Sequence, residues 1–262
     1  MLEFVTVKDG KLFCQVHQID EAAPWLLFSN SLLTDMSIFD AQFNCFSSEF
    51  NIIRYDHRGH GKSSVSQQLD FNWLAQDVLK ILDIAEVAEC VFVGLSMGVP
   101  TGLATYSLSA NRIKAMIFMD GQATSATDAA QQWQSRIDNA VEVGLDSFAA
   151  ATCARWLVSE DEELHERLFS MMNATPLEGF VAAASTLKSY NFSNVIPDLT
   201  VPVLTMAGEH DGAMPEKMNR IAESLINGQF VEIANAGHVP CFEQPDAVNS
   251  AIQTFLNGAL IK

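Results

Sequence analysis

Basic residues are scarce in this chain. Its 262 residues hold 15 Lys and Arg against 32 Asp and Glu, a net charge of −17. Such a surface repels a phosphate backbone and an anionic membrane face, so neither nucleic acid nor membrane is expected as a partner. A small anionic substrate stays open, because a few local cations outweigh charges beyond the screening length. Cysteines are few as well. Cys14, Cys45, Cys90, Cys153 and Cys241 are scattered, odd in number and form no C-x-x-C. That argues against a disulfide framework or a zinc site and for free thiols in a reducing compartment. No apolar run approaches the roughly 18 residues of a membrane span. Met1-Leu2-Glu3-Phe4 lacks the basic-then-apolar order of a secretory signal. H-E-x-x-H, a Gly-rich phosphate loop, repeats and low-complexity segments are all missing. The expectation is a soluble cytoplasmic protein with no metal and no cofactor; oligomeric state is not legible.

What is present is material for a large packed core: 48% of the residues are apolar and 18% charged. Phe4 to Val7 and Leu12 to His17 alternate around Asp9-Gly10, a hairpin signal. Trp25 to Phe28, Asn51 to Tyr55, Cys90 to Val93, Ala115 to Met119, Val201 to Met206 and Phe230 to Ile233 read as strands. Helical text lies between them, with Trp73, Leu74, Val78, Ile81 and Leu82 at helical spacing. Further helices are expected at Val99 to Ser107, Pro215 to Leu225 and Gln244 to Leu256. This alternation predicts an α/β fold with a mainly parallel sheet and helices on both faces. From about Thr124 to Asn191 the apolar residues recur in helical segments with no clear strand. That stretch far exceeds a connection of about 2–6 residues. Residues 123–191 therefore read as an inserted helical cap on a core built from 1–122 and 192–262.

The most informative segment is Gly94-Leu95-Ser96-Met97-Gly98. A G-x-S-x-G between a strand and a helix is the signature of a nucleophile elbow. The glycines make room for a strained turn that lifts the Ser96 hydroxyl above the sheet, at the start of a helix. A serine hydroxyl needs a base. His238 follows the last strand, and Asp211 follows the strand before it, in the order serine, acid, histidine. His238 would take the Ser96 proton, and Asp211 would hold its tautomer. Asp120, after the preceding strand, is the rival acid. His210 reads as a loop residue; His57 and His60 read as residues that shape their loop by hydrogen bonds; His17 and His165 read as ordinary polar positions. An oxyanion needs two N–H donors, for which Met97 and Leu32 are the candidates.

Three segments carry a resemblance. They are Phe28-Ser29-Asn30-Ser31-Leu32, the loop Arg54 to Ser63, and the elbow itself, joined in the cap by Trp133 to Ile137 and Thr175 to Phe180. Over its whole length the chain resembles the α/β-hydrolase superfamily, and within it is most similar to 3-oxoadipate enol-lactonases. Where that family usually has glycine, this chain has Val99 and Leu33, both of which are expected to add bulk close to the site. The resemblance implies cofactor-free hydrolysis of a small carboxylate-bearing lactone, with Trp133 and Arg136 as the substrate-binding candidates. Arg155 and Lys188 are further candidates for the carboxylate. A pocket walled only by Trp133, Phe148, Trp156 and Phe180 would instead suit neutral esters, as in a carboxylesterase or cofactor-free perhydrolase. A ligand-binding receptor on the same fold is the alternative from outside the enzymes.

Overall fold

The computed structural model describes residues 2–260, so Met1, Ile261 and Lys262 lie outside it. Its frame is set by strands whose side chains are buried on both faces. In β5 (Cys90–Leu95), Val91, Val93 and Leu95 enter one apolar cluster while Cys90 and Phe92 enter another. In β3 (Trp25–Ser29), Leu26 and Phe28 face the first cluster and Leu27 the second. Successive side chains of a strand point to opposite faces, so a sheet covered on both sides needs an unbroken apolar run. Those runs are what the sequence displays.

The hairpin β1 (Leu2–Val7) and β2 (Gly10–His17) forms one edge. Then come β4 (Asn51–Tyr55), β3, β5, β6 (Ile113–Met119), β7 (Val203–Gly208) and β8 (Gly228–Ile233), giving the order 1-2-4-3-5-6-7-8. From β4 to β8 every neighbouring pair is parallel. Parallel neighbours force each connection to cross back over a face, and helices make those crossings. They are α1 (Asp40–Phe46), α2 (Phe71–Ile84) and α3 (Gly98–Leu108), with α8 (Met214–Glu223) between β7 and β8. After β8 come α9 (Pro240–Glu243) and α10 (Pro245–Ala259).

The expected elements stand, with three corrections. Pro202 has no N–H to give a ladder, and β7 begins only after it, at Val203. The helix expected from Gln244 to Leu256 is α10, which begins one residue later because Gln244 is its cap, and the single turn of α9 before it was not foreseen. The short α1 was not foreseen.

Between β6 and β7 the chain runs through α4 (Ala129–Val143), α5 (Leu145–Trp156), α6 (Glu162–Asn173) and α7 (Leu177–Thr186). An isolated antiparallel bridge, Thr124 with Asn191, joins the two ends of this insertion. Phe148 and Phe180 meet inside it with ring centroids 5.0 Å apart, and both belong to the first apolar cluster of the core. The insertion thus shares its apolar interior with one face of the sheet.

Candidate active site

Ser96 sits at the carboxyl end of β5 with φ of 53°. For a residue with a side chain, this left-handed backbone costs about 1–2 kcal/mol. The surroundings enforce it. Ser96 N–H donates to the Met119 carbonyl at 2.8 Å, and the Ser96 carbonyl accepts from Val99 N–H at 3.0 Å. A Cβ on Gly98 would run into the Ser29 carbonyl, and one on Gly94 into the Gly98 carbonyl. The two glycines are therefore required by backbone contact on both sides of the turn. Ser96 is half-buried although its neighbours from Cys90 to Pro100 are buried, because it faces a cavity of about 520 Å³.

His238 and Asp211 arrive from the loops after β8 and β7. His238 Nε2 lies 3.0 Å from Ser96 Oγ, and Nδ1 lies 2.6 Å from Asp211 Oδ2. The backbone fixes both. His238 N–H donates to the Trp156 carbonyl at 2.9 Å, and the Trp156 ring tilts against the imidazole with centroids 4.6 Å apart. Burial alone would raise the Asp211 carboxyl. His238, Asp120 and Arg155 outweigh it, so the group is held below its ordinary range and stays ionised.

Asp120, the rival acid, ends β6 beside this pair. Among the described residues it makes no hydrogen bond to His238. Its Oδ1 accepts the Gly208 N–H at 3.0 Å. Burial first, and the charge of Asp211 second, push its carboxyl well above the usual range.

The cradle opposite Ser96 is the turn after β3. Thr34 closes it: its Oγ1 accepts from Ser31 N–H and donates to the Ser31 carbonyl, both at 3.0 Å. Leu32 and Met97 both line the cavity, and among the described residues neither backbone N–H has an acceptor. The loop from Asp56 to Ser63 braces this turn from behind. Asp56 accepts from the N–H groups of Met36 at 2.8 Å and Lys62 at 2.9 Å, and burial raises its carboxyl to about 6. His57 Nε2 reaches the Asn30 carbonyl at 3.0 Å. Burial depresses His57 to about 3, with His60 adding to it, and depresses His60 to about 4, so both rings are neutral near pH 7. Hydrogen bonds that shape the loop are what these histidines make.

The expected bulk divides. Leu33 has φ of 63° and lines the cavity. Val99 does not line it. Its side chain is wholly buried beneath Gly121, because α3 turns that position toward the sheet.

Trp133, Phe148, Trp156 and Phe180 all line the cavity, but they do not wall it alone. Arg136 of α4, Arg155 of α5 and Lys217 of α8 line it too. Arg136 stacks on Trp133, 4.4 Å from the ring centroid. Burial, and then the charge of Arg155, lower its affinity for its proton, which places the two guanidinium groups within each other's field. Among the described residues no carboxylate lies within salt-bridge distance of any of the three. Lys217 Nζ donates to Gln122 at 3.1 Å. No local pattern singles it out, since only tertiary structure brings α8 to the cavity. Lys188 is elsewhere: its ammonium donates to Gln134 at 2.6 Å, and it is not part of the cavity wall.

Glu243 was also missed. Its buried carboxylate accepts from Val158 and Ser159 N–H at 2.6 Å through Oε1, and from Gly237 N–H at 2.7 Å through Oε2. It ties the end of α5 to the loop that carries His238.

The chain and its fold have counterparts among known proteins. The family profile described as the alpha/beta hydrolase fold matches residues 24–245. Two relatives from Acinetobacter baylyi, 3-oxoadipate enol-lactonases 1 and 2, are similar along most of their length. The first is 27% identical over 246 residues, 92% of each chain; the second is 29% identical over 238 residues, 89% of this chain and 88% of the relative. A crystal structure of the enol-lactonase from Burkholderia xenovorans superposes with a TM-score of 0.91 at 27% identity, covering 97% of this chain and 100% of that one. With a strained serine turn, an adjacent histidine–carboxylate pair and a profile match over most of its length, the chain belongs to the α/β-hydrolase fold family and is a hydrolase of that family.

Proposed function

We propose that this protein opens a small, carboxylate-bearing lactone or ester through an acyl-enzyme on Ser96, in the manner of 3-oxoadipate enol-lactonases. One observation carries the reading: the hydrogen-bonded series Ser96, His238, Asp211 ends in a cavity that also holds two guanidinium groups with no carboxylate at salt-bridge distance among the described residues. His238 Nε2 takes the hydroxyl proton as Ser96 Oγ attacks the carbonyl carbon. The N–H groups of Leu32 and Met97 receive the oxyanion. The tetrahedral intermediate then collapses, the C–O bond of the leaving group breaks, and His238 returns its proton to the departing enolate or alkoxide. A water molecule, deprotonated by the same ring, attacks the acyl carbon and frees Ser96. An enolate departs easily because its charge is delocalised, so modest acid assistance suffices. Arg136 and Arg155 pair with the substrate carboxylate, a contact that a planar guanidinium makes well.

A second reading, a general carboxylesterase or cofactor-free perhydrolase, is favoured by the apolar share of the wall, with Leu32, Leu33 and Leu187 beside the aromatics. A panel of lactones and esters, each as free acid and as methyl ester, separates the two. Preference for the free acid is the expected result; equal turnover of acid and methyl ester would leave the esterase. Ser96→Ala tests what the readings share. It is expected to be folded and to lose several orders of magnitude in rate, and retention of more than about a tenth of the activity would remove Ser96 as nucleophile. A receptor on this fold would bind the panel and turn over none of it.

A further inference from the structure

We propose that Asp120 serves the site as a neutral carboxylic acid, donating its proton in a hydrogen bond to the Asp211 carboxylate and so positioning the acid that holds His238. The inference rests on the serine-hydrolase reading and adds a fourth residue to it, one that acts through Asp211 and touches neither substrate nor nucleophile.

Three observations converge on it. The side chain is 1% exposed and lines the wall of the cavity that holds Ser96. Its two oxygens are unequal: Oδ1 accepts from Gly208 N–H at 3.0 Å, whereas Oδ2 is buried with no hydrogen-bond partner among the described residues. A carboxylate oxygen from each of Asp120 and Asp211, and a ring nitrogen of His238, lie within 4.8 Å of one another. An ionised Asp120 would set a second negative charge beside Asp211 with one oxygen unsatisfied in a dry place, an arrangement that costs several kcal/mol. A proton on Oδ2 removes both problems. It cancels the charge, and it turns the orphan acceptor into a donor beside the Asp211 carboxylate. Two carboxyls at such range share a proton rather than ionise together.

The backbone supports a built feature. Asp120 holds φ of 45°, in a region that Asp and Asn enter more readily than other residues with side chains. It is fixed there by its N–H donating to the Met206 carbonyl at 3.1 Å. The titratable groups that face it are Asp211 from the loop after β7, His238 from the loop after β8 and Cys241 from α9, with the charge of Arg155 reaching Asp211 from α5. None of them supplies a donor to Oδ2. The upward push on the Asp120 carboxyl and the downward push on Asp211 are both in the direction that this proton requires.

The test compares Asp120→Asn with Asp120→Ala in the intact protein, using whichever ester or lactone the wild type hydrolyses. Asparagine keeps the neutral charge, the tolerance of this backbone and an N–H donor. It is expected to stay within about threefold of wild-type kcat with an unchanged pH profile. Alanine removes the donor and is expected to lower kcat roughly tenfold to a hundredfold with little change in KM, the range for a hydrogen bond to a charged group. Without that donor the Asp211 charge pulls harder on the imidazolium. The acid limb of the kcat/KM profile should therefore move to higher pH in the alanine variant only. Should alanine fail to fold, a difference infrared spectrum of wild type against Asp120→Asn at neutral pH decides alone, by the carbonyl band of a protonated carboxylic acid lost in the variant. Equal loss in both variants, a full wild-type profile in the alanine variant, or no such band would each overturn the assignment. Ser96→Ala in parallel keeps the two claims apart: an inactive Ser96→Ala with indistinguishable Asp120 variants fails this inference only, and an active Ser96→Ala fails the reading beneath it.

Discussion

Arg136 shows how one residue can work against the character of its surroundings. The guanidinium lies half-buried on the Trp133 ring, beside a second guanidinium, with no carboxylate at salt-bridge distance among the described residues. In a chain with 32 acidic residues, a cation left without an acid is informative. Removing it should matter only to substrates that bring their own carboxylate. Arg136→Ala is expected to raise KM for an acidic lactone by roughly tenfold to a hundredfold, the worth of a charge-assisted hydrogen bond, and to leave a neutral ester near wild type. Steady-state kinetics on the two substrates check it; an equal rise in both would reduce Arg136 to packing. Leu33 is a different case. Its left-handed backbone costs about 1–2 kcal/mol, which its burial at 1% exposure offsets by about 1.5–3 kcal/mol. The sequence announced this residue as extra bulk at the site, and so it is. Val99 carried the same expectation and adds its bulk one layer behind the wall, against Gly121, rather than in the cavity itself.

At the scale of elements, legibility followed locality. The parallel strands were readable because burial on both faces writes an unbroken apolar run. Ser96, Asp211 and His238 could be brought together on paper because each follows a strand whose place in the sheet sets where the next loop lands. The short α1 spans two turns, too little for a helical period to emerge. Glu243 was invisible for another reason: its partners Val158 and Ser159 lie 85 and 84 positions away, in an insertion whose docking no local pattern encodes. Yet this carboxylate, with three backbone N–H groups upon it, joins the insertion to the loop of His238. Glutamine offers one oxygen and turns an amide toward N–H groups, so Glu243→Gln should both destabilise the protein and loosen the histidine loop. Loss of charge-assisted bonds of this kind costs about 1.5–3 kcal/mol, a fall in Tm of about 3–10 °C for a chain of this size. A lower kcat should accompany it. Thermal unfolding and kinetics on the same sample measure both, and wild-type values of Tm and kcat together would leave Glu243 without this role.

For the molecule as a whole, the net charge of −17 and the guanidinium groups on the cavity wall would pull an anionic substrate in opposite directions. The two fields differ in range. Surface acids act over distances at which 0.1 M salt, with a screening length of about 10 Å, removes most of their influence. Arg136 and Arg155 would act at contact, inside a cavity where salt screens less. Raising ionic strength therefore weakens the repulsion of the approach more than the attraction of the site. For a carboxylate substrate, kcat/KM should rise between about 10 mM and 150 mM salt, and the rise should be absent for its uncharged methyl ester. The methyl ester serves as the control for any effect of salt on the enzyme itself. A fall in kcat/KM for the acid over the same range would mean that the cavity steers from a distance. In that case Arg136, Arg155 and Lys217 would dominate the field outside the protein despite its charge, and the carboxylate would be recognised before it arrives. The expected rise places recognition at contact, where the fork of a guanidinium and the fit of the walls, rather than the sign of the surface, select the substrate.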